Sequence, residues 1–178
     1  MNYTIRPERK DELSLILDLV KSAFEGVEES DHQEQYLVEQ LHKSATFIPE
    51  LSLVAENREG VIVGYILLTQ VQIISTTSVA TSLAVAPLAV LPDFQNRGIG
   101  GLLLNEAHQV AAKLGYGTAV LLGHKDYYPR FGYKKAVEYG INFPFDAPQD
   151  CCLVIGLLPD ALNGIKGTVH YPDCFQLT

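Results

Sequence analysis

Residues 83–114 constrain the fold more than any other stretch of the chain. An apolar run, Leu83 to Val90, leads through Leu91-Pro92-Asp93-Phe94-Gln95-Asn96-Arg97 into Gly98-Ile99-Gly100-Gly101, and a helix-like segment covers Ile99 to Leu114. The expected order is strand, short turn, helix. Three glycines, Gly98, Gly100 and Gly101, crowd the turn and the first helical residues. Glycine accepts backbone angles that other residues resist and lets a ligand approach the main chain. The first N–H groups of a helix have no intrahelical partner, and the dipole there favours negative charge. Such a junction suits a phosphate group. Arg97 adds a fixed positive charge, and Gln95 and Asn96 add neutral donors. The same glycines would also let a helix pack closely on a sheet without any ligand.

Two phosphate-loop patterns fail here. A dinucleotide fingerprint needs G-x-G-x-x-G, and Leu103 occupies the third glycine position; a P-loop needs a Lys after the glycines, and none follows. What remains is Gln95-Asn96-Arg97-Gly98-Ile99-Gly100, a Q-x-x-G-x-G string between a strand and an amphipathic helix. It resembles the acetyl-CoA motif of the GCN5-related N-acetyltransferases (GNAT). The resemblance covers about residues 3–157. A narrower likeness to the YhbS-like bacterial N-acetyltransferases rests on Pro87-Leu88-Ala89-Val90-Leu91-Pro92, on Gly123-His124 with Tyr127-Tyr128-Pro129-Arg130-Phe131-Gly132-Tyr133, and on Gly167-Thr168-Val169-His170-Tyr171.

The rest of the chain reads as a mixed α/β order. Tyr3–Arg6 alternates as a first strand. Asp11 can cap a helix carrying Leu13, Ile16, Leu17, Val20 and Phe24 at helical spacing. The acidic stretch Glu25–Glu34 reads as a loop, and His32–Lys43 as a second helix with Tyr36, Leu37 and Leu41 on its apolar side. Leu51–Glu56 and Val61–Ile74 read as strands around the turn Asn57–Gly60, and Val79–Val90 as a third strand after Ser75–Ser78. Pro87 donates no ladder hydrogen bond, so that strand should bulge, splay or end near it. On the helix that follows, Leu102, Leu103, Ala107, Val110, Ala111 and Leu114 form the expected buried face, with Gly115 as a C-terminal cap. Thr118–Leu122 is a short strand and Tyr127–Phe131 a helical turn. Lys134–Tyr139 and Cys151–Leu157 are further strands, and Asn142–Asp150 is a loop. The tail, residues 159–178, places Val169 and Tyr171 in a small hairpin. No repeat or linker divides the chain, so one domain over residues 1–178 is expected. The resemblance implies the GNAT fold, a mostly antiparallel sheet splayed between two parallel strands and flanked by helices.

The chemistry follows from the resemblance, residue by residue. Acetyl transfer from a thioester to an amine needs a polarised carbonyl, a neutral amine and a proton for the departing thiolate. The family pattern implies acetyl-CoA as co-substrate, held by Gln95, Asn96, Arg97, Gly98, Ile99, Gly100 and Gly101. The pantetheine arm is expected along Val90 and Leu91, with Thr118–Leu122 on its other side. The Leu91 N–H is the candidate to polarise the carbonyl. Tyr128, in Y-P-R-F-G-Y, matches the family's general acid, and Phe131 lies in the same cofactor-binding run. A phenol is protonated at neutral pH and can donate to a thiolate. Tyr127 is adjacent and carries the same group, and packing beside Phe131 and Tyr133 is the alternative role for Tyr128. Many relatives carry a Glu on the strand before the glycine turn; Leu83–Leu91 contains no acid. The general base is sought among His124, ranked first, and Glu28, Glu29 and Asp126. Glu28 and Glu29 are also the candidates to select a cationic amine, although an acidic run is more often a solvated face.

Composition excludes other classes. A formal charge of −8 over 178 residues argues against nucleic acid, and no apolar run reaches membrane-spanning length. Three cysteines, Cys151, Cys152 and Cys174, do not form a disulfide framework, and no His/Cys spacing suggests a metal. The N-terminal residues lack an apolar signal core, so a cytoplasmic setting is expected. The expected acceptor is a small-molecule or protein amine. A homodimer through the tail hairpin is a further expectation. The competing reading is a non-catalytic acyl-CoA-binding module.

Overall fold

The computed structural model describes residues 2–176; Met1 and the end of the expected tail, Leu177 and Thr178, lie outside the described residues. The architecture is mixed α/β. Among the described residues a nine-stranded sheet runs in the order β1-β2-β3-β4-β5-β8-β6, with β9 on β3 and β7 on β9. Its strands are β1 (Thr4–Pro7), β2 (Ser52–Glu56), β3 (Ile62–Ile74), β4 (Val79–Val90), β5 (Thr118–Leu122), β6 (Lys134–Lys135), β7 (Ile141–Asn142), β8 (Cys152–Gly156) and β9 (Gly167–His170). The helices are α1 (Leu13–Phe24), α2 (Glu34–His42) and α3 (Ile99–Lys113). The chain forms two compact units. The first holds residues up to Thr69, Ala86–Ala107 and the segment from Asp173; the second holds Gln70–Val85 and His108–Pro172. No helix is long and apolar enough to cross a membrane among the described residues.

In the first unit, β1 and β2 pair antiparallel with Ile5 opposite Ala55, and β2 pairs with β3 with Val54 opposite Tyr65. The helical spacing of α1 buries Ile16, Leu19, Val20 and Ala23 in one cluster with Val38, Leu41, Val54, Tyr65, Leu67 and Ala89. Asp11 does not cap α1. The N-cap is Glu12, without a side-chain cap bond of its own. Its carboxylate instead accepts from both guanidinium nitrogens of Arg6 (2.7 and 2.9 Å) and from the Arg9 N–H. The second helix starts two residues later than its sequence suggests, because His32 adopts φ +58°. Its buried side is Val38 and Leu41, while Tyr36 is exposed. His42 closes this helix onto the sheet: Nδ1 faces the Val38 carbonyl and Nε2 the Glu8 carboxylate, each at 2.7 Å. Glu8 also accepts from Ser52, whose hydroxyl meets the buried Tyr65 hydroxyl.

In the second unit, β4 and β5 are parallel but share only Leu83–Ala119 and Ala84–Val120. This pairing stops ahead of Pro87, as the missing ladder donor requires. Buried Ser82 and Thr118 hydroxyls bond each other at 2.8 Å beside it. β8 runs antiparallel to β5 over Thr118–Leu122. The expected strand Lys134–Tyr139 ends after two residues; Ala136–Tyr139 turns helically into Gly140 at φ +70°. The tail does not fold as its own hairpin. β9 pairs antiparallel with Gln72–Ile74 of β3 and parallel with β7, so both of its edges are taken. Gly167 permits this: a Cβ there would collide with the Ile74 carbonyl. Cys151 ends a short helical turn and Cys152 opens β8; these two and Cys174 are half-buried free thiols.

The buried face expected for α3 is partly corrected. Leu103, Leu104, Ala107 and Ala111 are buried, but Leu102 and Leu114 are each 45% exposed. Gly115 at φ +89° ends the helix, with the Tyr116 N–H returning to the Ala111 carbonyl. That is a left-handed C-terminal cap.

Candidate active site

The first unit carries the glycine turn. After β4, Pro92–Phe94 makes a short helical turn, with the Gln95 N–H bonded to the Pro92 carbonyl. Asn96 at φ +59° and Gly98 at φ +80° then reverse the chain into α3. The helix opens with the Leu102 N–H donating to the Gly98 carbonyl at 3.1 Å. The N–H groups of Asn96, Gly98, Ile99, Gly100 and Gly101 have no acceptor among the described residues. They crowd one helix start, where the dipole adds partial positive charge. Ile99 is buried and anchors the turn from beneath. It meets Gly64 of β3, where a Cβ would approach Ile99 and Leu103 to 3.0 Å. Gly64 is therefore what lets α3 lie close on the strand, and sequence reading missed it. A Cβ at Gly98 would meet nothing within 4 Å, so glycine is needed there for its φ and the space above it is open.

The side chains of the turn brace it. Gln95 Nε2 donates to the Val90 carbonyl at 3.1 Å. Arg97 donates to the Asp93 carbonyl at 2.7 Å and lies over the Phe94 ring, 5.1 Å from its centroid. One expectation is corrected here. The Leu91 N–H donates to the Val63 carbonyl at 3.0 Å, so it is committed to the sheet and not presented to a ligand. Backbone groups of successive strand residues point to opposite edges. The Val90 amide therefore faces away from β3, on the side where Gln95 meets the Val90 carbonyl. Glu28 and Glu29 are exposed in the turn after α1, with no hydrogen bond or ion pair among the described residues.

The second unit gathers His124, Tyr128 and Phe131 in one short segment after β5. The His124 carbonyl accepts from the Tyr127 and Tyr128 N–H groups (3.1 and 3.4 Å) and starts the turn Tyr128–Phe131. Its imidazole is exposed. Gly132 at φ +97° ends the turn and delivers Tyr133 into the core. Tyr128 lies edge-on to Tyr127 and Tyr133, at centroid distances of 5.0 and 5.7 Å. Its hydroxyl has no partner among the described residues. Burial pushes its phenol pKa above the ordinary value, with the neighbouring Tyr127 adding to the rise. Burial also raises Tyr127, against a smaller opposing pull from Arg130. Arg130 lies over the Tyr127 ring at 4.7 Å, and the Phe131 ring packs tilted against Tyr127 with centroids 5.2 Å apart. The Tyr128 phenol is thus neutral across the physiological range. Asp126 lines a separate recess of about 350 Å³ with Lys125, Lys134 and the paired Lys135 and Asp150.

Gly123, read from the sequence as part of the family pattern without a role of its own, packs against the same segment. A Cβ on it would overlap Tyr128 Cε2 and stand 2.9 Å from Cδ2. The ring of Tyr128 lies on the bare backbone of Gly123.

Comparison with known proteins gives consistent matches. The family described as "Acetyltransferase (GNAT) domain" matches residues 49–135. The uncharacterized N-acetyltransferase YjhQ of Escherichia coli K12 is 32% identical over 150 residues, 84% of this chain and 80% of that protein. The crystal structure of Escherichia coli YhbS, a GNAT family N-acetyltransferase in complex with CoA, superposes with a TM-score of 0.88 at 28% identity, covering 99% of this chain and 93% of YhbS. A GNAT family acetyltransferase from Brucella melitensis in complex with acetyl-CoA gives 0.79 at 29% identity, covering 98% of each chain.

Proposed function

We infer the reaction from the premise that this chain belongs to the GNAT N-acetyltransferase family. It is an acetyltransferase that draws its acetyl group from acetyl-CoA. Beyond that, we propose direct transfer to the primary amine of a small molecule or peptide, with the following assignment of residues. The observation that carries it is the row of unpaired N–H groups at the start of α3, beneath open space at Gly98.

Acetyl-CoA supplies a thioester and a pyrophosphate. The N–H groups of Asn96, Gly98, Ile99, Gly100 and Gly101 bind the pyrophosphate, and Arg97 adds charge beside them. Gln95 acts indirectly, holding the end of β4 through the Val90 carbonyl. The Val90 N–H takes the role first expected of Leu91 and polarises the thioester carbonyl. Val90, Leu91 and Phe131 line the arm. The amine nitrogen attacks the carbonyl carbon, a C–N bond forms and the C–S bond breaks. Tyr128 gives its phenolic proton to the departing thiolate, and the proton lost by the amine passes to His124, directly or through water. Glu28 and Glu29 favour a cationic acceptor in its encounter with the enzyme.

The test joins binding to turnover. A thermal melt with acetyl-CoA at about 100-fold over Kd should rise by roughly 5–11 °C. Tyr128→Phe should keep that rise and lose ~10²-fold in kcat, measured as thiol release against a panel of amines. An unchanged kcat would remove Tyr128 as the acid. Absence of a melt shift at millimolar acetyl-CoA would remove the assignment of residues 95–101.

A further inference from the structure

We propose that Tyr133 and His108 act as a positioning pair for Tyr128, and so set the efficiency of proton delivery to the leaving thiolate. This rests on the reading of Tyr128 as the general acid. Neither Tyr133 nor His108 is proposed to touch a substrate.

The argument begins with what holds Tyr128 in place. Its backbone N–H meets the His124 carbonyl, but no polar contact holds the side chain, since the hydroxyl has no partner among the described residues. Its ring lies against the backbone of Gly123, the ring of Tyr127 and the ring of Tyr133. Of these, Tyr133 is the one tied to a regular element. It is 3% exposed, and its hydroxyl stands 2.8 Å from His108 Nε2 on α3. The two rings also pack, with centroids 5.5 Å apart.

The chemistry of the pair suits a fixed anchor. Burial lowers the His108 pKa to about 4, so the imidazole is neutral at working pH. A neutral ring offers Nε2 as an acceptor, and Tyr133 donates to it. Burial holds the Tyr133 phenol well above its ordinary pKa, so that donor is constant too. A buried donor or acceptor left without its partner, whether the Tyr133 hydroxyl or His108 Nε2, seeks another or draws in water, and the rings packed around it shift. Tyr128, which leans on that ring, moves in turn. Placement of a reacting group to about 1 Å is worth up to ~10²-fold in rate.

The experiment is a double-mutant cycle with one structural readout. Tyr133→Phe keeps the ring and removes the anchor. It should lower kcat by roughly 10-fold or more while KM for acetyl-CoA stays within about twofold. In the Tyr128→Phe background the same change should have no further effect on kcat, because its route has already been cut. His108→Gln, which retains an acceptor, should lie near wild type, and His108→Leu should behave like Tyr133→Phe. The ring resonances of ¹³C-labelled Tyr128 should shift in Tyr133→Phe. Equal losses of kcat in both backgrounds would mark a general packing role and overturn the proposal. So would an unmoved Tyr128 resonance. If Tyr128→Phe alone has no effect on kcat, the acid reading fails, and the proposed effect on proton delivery fails with it. If Tyr128→Phe is slow but Tyr133→Phe is not, only the positioning proposal fails.

Discussion

Gly123→Ala probes the site by adding a single methyl group. The residue follows β5, and its φ lies outside the left-handed region, so alanine can adopt the backbone without strain. The whole effect is then steric. The new Cβ would overlap Tyr128 Cε2, stand 2.9 Å from Cδ2 and 3.0 Å from Leu121 Cδ1. Carbon atoms in contact prefer ~3.5–4.0 Å, so the tyrosine ring must withdraw by roughly 1 Å or more. Overpacking of this kind costs ~1–3 kcal/mol of stability. For a chain of this size that lowers Tm by roughly 2–12 °C. The larger consequence is for catalysis: a general acid displaced by ~1 Å should lose up to ~10²-fold in kcat. The assay is steady-state thiol release with acetyl-CoA varied, beside a thermal melt of the same preparation. The glycine turn at α3 is untouched, so the acetyl-CoA melt shift should persist. A folded Gly123→Ala protein with wild-type kcat would refute the reasoning, since either the ring did not move or its position does not matter.

Three further predictions test other parts of the molecule. Gly98→Ala meets no atom but must hold φ +80°; that strain of ~1–2 kcal/mol should weaken the Kd for acetyl-CoA by roughly 5- to 30-fold, and an unchanged Kd by calorimetry would count against the turn as the pyrophosphate site. Hydrogen bonding from Arg6 holds the Glu12 carboxyl at about 2 against an ordinary 4.5. With a depressed folded pKa, the added stability is present above pH 4.5 and lost as pH falls toward 2; it amounts to roughly 3 kcal/mol. Glu12→Gln should therefore melt ~6–12 °C lower at neutral pH, with the gap closing in acid, and a pH-independent gap would contradict the ion-pair account. For His42, burial pulls the pKa down, but Glu8 and the Val38 carbonyl outweigh it and leave it raised. Its contribution is fully present below about pH 6.5 and fades as pH rises through the folded value. Hydrogen exchange in α2, corrected for intrinsic pH dependence, should accelerate at alkaline pH in the wild type and lose that step in His42→Gln.

Much of the fold was legible because it rests on local rules. The strand–turn–helix around Gly98 followed from glycine conformation and from hydrophobic spacing, and the observed α3 ends within one residue of its expected end. The spacing in α1 and the cap at Gly115 were legible for the same reason. Other features lacked a local signal. Glu12 displaced Asp11 at the helix start because Arg6, from β1, reaches its carboxylate. Lys134–Tyr139 has strand-like residues, yet Gly140 at φ +70° turns it after two paired positions. Leu102 looked buried on spacing alone, but a helix face is chosen by what packs on it, and Leu104 took that place.

The site divides in the same way. The sequence by itself determined the donors at α3, because any helix start leaves its first N–H groups without an intrahelical partner and the glycines there leave them uncovered by side chains. It also determined that Tyr128 would sit just before a chain reversal at Gly132. Only the tertiary structure decided that the Leu91 N–H is spent on the Val63 carbonyl and is not presented to a ligand. It alone showed that Tyr128 lies on Gly123, and that Tyr133 is bonded to His108 across 25 positions of sequence. The physical reason is range. Backbone conformation and helix-end electrostatics act within a few residues and are written in their order. Steric contact and hydrogen bonding act through space, between residues that only folding brings together.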